Sequence, residues 1–223
     1  MNKTLIVSAL VASMALTSAS LFAKDEPAQV SLDGLELVEK DSRGEIYADP
    51  MVEWDVYTQV LLDPASVSFR RNWQRDQNNA QPFKVRTSDM ENIKSDLSAL
   101  FNEVFTKELT EKGGYDMAAG SAENVMRITP RIVDLDVYAP DTPTPGIQKA
   151  YTRSAGRMTL KLEIYDSVTG DLIATASDRR EAPDRGYTQW TTSVSNRAAA
   201  RQMFERWAKD LRVRLDEARG IPD

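Results

Sequence analysis

The sequence predicts an α+β domain, a mainly antiparallel sheet of about five strands with two amphipathic helices packed on one face. Three observations lead there. Two long segments, 88–111 and 193–219, carry apolar residues at spacings of three and four, the period of a helix with one buried stripe. Stretches around Val125–Tyr138 and Met158–Ile164 alternate apolar and polar residues, the period of a strand with one wet face. The order of the elements, two strands, a helix, three strands and a helix, lacks the regular strand–helix alternation of a parallel α/β fold.

The elements follow in order. Residues 24–46 are polar with isolated apolar positions, and Asp33-Gly34 and Arg43-Gly44 supply turns. They are expected as a partly ordered arm on a single domain spanning 47–220. The stretch 47–73 is punctuated by Asp49-Pro50 and Asp63-Pro64. Its apolar run Val60-Leu61-Leu62 reads as one strand, and Val67 and Phe69 alternating with Ser66 and Ser68 as a second. Residues 74–81 hold one alanine and no other apolar side chain, which predicts a solvated loop.

Ser88 with Glu91 three residues on predicts a capping box, with Asp89 adding an acid to the first turn. Ile93, Leu97, Leu100, Phe101, Val104, Phe105 and Leu109 then form one helical stripe, which Gly113-Gly114 ends. In the strand 125–138, Met126, Ile128 and Ile132 share one parity and Val133, Leu135 and Val137 the other. The slip predicts a bulge just past Pro130. Residues 139–155, with three prolines, read as a long loop. Met158, Leu160, Leu162 and Ile164 mark a strand, joined by a turn over 166–171 to another over 172–178. Residues 178–189 are charged and turn-rich. The last helix starts from a cap among Ser193, Ser195 and Asn196 and buries Ala200, Met203, Phe204, Trp207, Leu211 and Leu215.

Composition excludes several chemistries. The chain has no cysteine and no histidine, which removes thiolate nucleophiles, disulfides, imidazole or thiolate metal sites and any Ser-His-Asp triad. A net charge of -6 argues against nucleic acid as the main partner. No cofactor motif is present: neither a phosphate-binding glycine loop nor a dinucleotide fingerprint occurs.

Lys3, the apolar run Leu5–Leu16 and the small residues 17–23 have the layout of a secretory signal over residues 1–23. Cleavage is expected after Ala23, with Ser18-Ala19-Ser20 as a second small-residue site and retention as an anchor as the other outcome. No later stretch is apolar enough to span a bilayer.

Asp63-Pro64 followed by Val67-x-Phe69-x-x-x-Trp73, together with Asn196-Arg197 opening a helix that carries Trp207-Ala208-x-x-Leu211 and Leu215, resembles the "domain of unknown function 3313" family. That resemblance covers about residues 35–219, nearly the whole mature chain. It implies an exported, often lipoprotein-type, Gram-negative protein, and it brings no established catalytic or binding residue. Many such proteins carry a lipid-modified cysteine after the signal. This chain has none, which favours a free periplasmic domain.

Candidate sites are few. Arg127, Arg131, Arg157 and Lys161 fall on outward strand parities and form a basic patch if their strands are neighbours, suited to an anionic polymer or an acidic envelope partner. An ordinary polar sheet face paired with Glu163, Asp134 and Asp136 is the plainer reading. Trp73 among arginines, and Tyr187 with Trp190 near Arg185, are the residue types that stack on sugars or bases, or else rim aromatics packed on the domain edge. Asp134 and Asp136, two apart on a strand, are expected to share a solvated face, the minimum for paired-carboxylate hydrolysis or a hard metal. The sequence thus favours a non-enzymatic envelope interaction domain, with a periplasmic binder of small ligands or glycans second and a hydrolase third.

Overall fold

The computed structural model describes residues 34–80, 84–138, 154–184 and 193–221, and the backbone at 151–152 and 189–190. The strands are β1 (Glu36–Lys40), β2 (Gly44–Ala48), β3 (Gln59–Leu62), β4 (Ser66–Phe69), β5 (Asp116–Met117), β6 (Val125–Val137), β7 (Tyr151–Thr152), β8 (Gly156–Asp166), β9 (Leu172–Glu181) and β10 (Gln189–Trp190). The helices are α1 (Trp73–Ala80), α2 (Thr87–Glu111) and α3 (Ser193–Ala218), with one 3-10 turn at Trp54–Val56. The α+β class stands, but the sheet is larger than expected and mixed. It has eight strands in the order β1-β2-β9-β8-β6-β3-β5, with β4 also on β6, and β7 pairs β10 separately.

The mixed character has a simple origin. β3 pairs with the first part of β6 and β4 with the second, both in parallel. The chain passes from β4 to β6 through α1 and α2, and such a crossover brings it back in the same direction. The antiparallel core is β6, β8 and β9, where Ile128, Ile132, Leu160, Leu162 and Ile164 all point under the helices. The outward parity stays polar: Thr129, Glu163, Thr175 and Tyr47 lie side by side across four strands.

α2 and α3 cover the inward face through the expected stripes. Phe101 stacks on Phe105 and meets Phe204 edge-on at 5.4 Å. Arg201 reaches Glu103 at 2.8 Å and Arg212 reaches Glu108 at 3.2 Å, so the two helices run in the same direction. Gly114 takes a positive φ (66°) just past α2, a conformation that costs any residue with a Cβ.

Several expectations are corrected. The stretch 74–81 is mostly helix: α1 buries Trp73 and Gln77, one turn apart. Residues 36–46 supply β1 and the start of β2, which adds a hairpin to β9 at the sheet edge. Asp41 holds its turn by accepting from the backbone N–H of Arg43 and Gly44. α2 starts at Thr87, and Asp89 rather than Glu91 reaches back, accepting from the Arg86 N–H at 2.8 Å. The bulge on β6 lies between Val133 and Asp136, not beside Pro130, with Asp134 at φ 52°. β9 continues to Glu181. Most of the proline-rich loop, 139–150, lies outside the described residues.

Candidate functional site

A cavity of about 350 Å³ opens between the first halves of α2 and α3 and one end of the sheet. Its origin is legible in α3. Lower down that helix Met203, Phe204 and Trp207 fill the space over the sheet, but Ala199 and Ala200 present only methyl groups above β6 and β8. Leu97 and Leu100 of α2 form a second wall, and Leu135 and Met158 the floor, all buried. The exposed lining residues Asp96, Val194 and Arg197 mark the mouth.

The polar part of the site comes from the end of the β6–β8 ladder. The bulge at Asp134 shifts the phase so that Leu135 and Val137 face the helices, while Asp136 shares the parity of its partner Arg157 and is buried at the end of the ladder. Asp136 is 5% exposed and meets Arg70 at 2.9 Å and Arg157 at 3.2 Å. Arg70 also donates to Asp76 at 2.7 Å, and these two carboxylates hold its guanidinium pKa above the usual arginine value. Two guanidinium groups thus satisfy the oxygens of this buried carboxylate. Gly156 makes this approach possible. Its φ is 143°, and a Cβ there would lie 2.2 Å from the Asp136 carbonyl oxygen.

The residues singled out from sequence are not gathered in one place. Trp73 is 1% exposed, stacked on Phe69 at 4.2 Å, and its indole Nε1 donates to the Val137 carbonyl at 3.1 Å. It is a packing residue and offers no face to a sugar. Arg127 donates to Asp63 at 2.9 Å, which also accepts from Thr129, and Arg131 pairs with Glu163. The basic patch is therefore largely neutralised across strands, leaving Lys161 exposed beside Arg131 in the ladder. Arg157 alone of the set lines the cavity. Trp190 lies in β10, and Tyr187 falls outside the described residues. Asp134, at the bulge, is exposed, whereas Asp136 is buried and held by Arg70 and Arg157, so the expected solvated carboxylate pair does not form.

Among the described residues, no group of three or more Asp or Glu is placed to hold a metal ion. Nor is any described helix long and apolar enough to cross a membrane. Sequence reasoning missed the cavity itself. Its one signal is the run Asn196-Arg197-Ala198-Ala199-Ala200, a helix start without bulk where the neighbouring stripe is large.

The family model described as "Protein of unknown function (DUF3313)" matches residues 18–211, and the chain belongs to that family. No curated protein matches the chain. Solved structures resemble it only distantly. PelC from Paraburkholderia phytofirmans, crystallised as a dodecamer, has a TM-score of 0.38 at 10% identity over 76% of this chain and 97% of its own. A Xanthomonas campestris protein of family DUF330 gives 0.39 at 11% identity over 74% and 86%. A minor lipoprotein from Acinetobacter baumannii gives 0.33 at 11% identity over 71% and 95%. Likeness at this level carries no functional argument.

Proposed function

We propose that this protein is an exported, non-enzymatic binding domain of the bacterial cell envelope that takes a small apolar ligand into the cavity between α2, α3 and the sheet. The observation that carries the reading is the cavity. It has about 350 Å³ of space walled largely by buried aliphatic side chains, with a few polar groups at the mouth and at the end of the β6–β8 ladder. Small-molecule sites have this character and begin at about 300 Å³. The absence of histidine and cysteine, and the commitment of Asp136 to two arginines, support binding without chemistry. The leader-like residues 1–23 support export.

The test is titration with Nile red, a neutral apolar dye whose emission rises in dry surroundings. Wild-type protein is expected to bind one dye per chain. Ala200→Phe, which fills the cavity from a wall residue, is expected to lose that signal with an unchanged far-ultraviolet circular dichroism spectrum. Equal dye binding by the two proteins rejects the cavity as the site.

A further inference from the structure

The lining of the cavity narrows the class of ligand. We propose that it takes a single acyl chain bearing an anionic head, with the chain between the helices and the head at the mouth by Arg157 and Arg197. The proposal rests on the cavity-binding reading above. Three observations point to it.

First, no aromatic side chain occurs among the described residues that line the space. Sugars are held by stacking and flat rings gain selectivity from it, a contribution that aliphatic walls do not add, so a flat dye enters on apolarity alone. Leucine, methionine and alanine walls instead suit a flexible aliphatic chain, and methionine adapts its shape to the chain that enters. Second, the walls offer an apolar chain little that is polar: Asp136, which Arg70 and Arg157 already satisfy, and the half-buried Asn196. Third, two guanidinium groups, Arg157 and Arg197, line the space; of the two lining carboxylates Asp136 is shared with Arg70, and Asp96 is exposed.

Both arginines can take a second anion. Arg157 contacts Asp136 at 3.2 Å and keeps a partly exposed guanidinium, a group with five N–H donors. Arg197 is held loosely, 3.7 Å from Glu103, whose nearer partner is Arg201 at 2.8 Å. A carboxylate or phosphate head would meet donors of matching geometry at the point where the chain leaves the apolar space.

The experiment displaces bound Nile red from the mature protein with dodecanoate, with dodecanol and with single-chain lysophosphatidylglycerol. Dodecanoate is expected to bind about tenfold tighter than dodecanol, and Arg197→Glu to erase most of that difference while leaving dodecanol unchanged. A preference for dodecanoate over the lysolipid would identify the source as a free fatty acid, and the reverse a lipid headgroup; either supports the proposal. Equal binding of dodecanoate and dodecanol, unchanged in Arg197→Glu, overturns the anionic head. Displacement by naphthalene but by neither chain overturns the chain while leaving the cavity reading intact. Failure of wild-type protein to bind Nile red at all refutes both.

Discussion

Asp136 and Gly156 set the geometry on which the cavity depends. Asp136→Asn removes the charge between Arg70 and Arg157, both partly exposed, and leaves Arg70 with Asp76 alone. The expected cost is about 1 to 3 kcal/mol in urea unfolding, the usual loss for hydrogen bonds to a charged group. Gly156→Ala meets both a backbone conformation closed to side chains and the Asp136 carbonyl 2.2 Å away. It is expected to destabilise by about 2 kcal/mol or more, whereas an alanine at exposed Gly120, which meets nothing within 4 Å, should cost little.

A separate residue-level consequence concerns pH. Burial and then the hydrogen bond to Asp166, 2.9 Å away, push the Tyr57 hydroxyl up to about 12. The folded state thus favours the neutral phenol. Its contribution is complete below the ordinary value of 10.0 and is lost as pH rises through about 12. Between pH 10 and 12 the urea midpoint of the wild type should therefore fall more steeply than that of Tyr57→Phe. Equal slopes would show that Tyr57 does not lose its partner on ionisation.

Among the elements, those with a strong period were legible and those held by a few long-range contacts were not. α2 and α3 could be read because their apolar stripes span more than four turns, and propensity and pattern agree there. α1 was not legible because its sequence WQRDQNNA has one large apolar residue. The helix is secured by Trp73 stacking on Phe69 and by Gln77 donating to the Val137 carbonyl, contacts that need β4 and β6 already in place. The parallel pairing of β3 and β4 on β6 was hidden for a similar reason, since alternation reports a strand's faces but not its neighbours.

The bulge on β6 was expected, but its position was not, and those few residues decide which aspartate is buried. At the far end of the helices Arg212 bridges Glu108 and Asp216, all largely buried. Arg212→Met should cost about 3 kcal/mol by leaving Asp216 without its guanidinium and Glu108 with Lys112 alone, and Glu108→Gln in the same chain should recover part of it.

For the molecule as a whole, the two layers leave the faces of the sheet with different tasks. The outward face is polar and neutralised by cross-strand pairs such as Arg127 with Asp63, so charge alone does not make it a docking surface. The inward face carries the buried core, and where α3 begins it opens into the cavity described above. Sequence reading placed the chain in its family and fold class and excluded thiol and imidazole chemistry. It could not reach the cavity, because a void is defined by side chains from three elements that are far apart in the chain.

The most direct measurement is isothermal titration calorimetry of residues 24–223 with decanol at several temperatures, beside Ala200→Phe. The wild type should bind one molecule per chain with a negative heat-capacity change, the mark of apolar surface leaving water, and the filled variant should bind none. Binding of unchanged stoichiometry and heat by the filled variant, or no heat-capacity change in the wild type, would contradict a ligand site between the helices and the sheet.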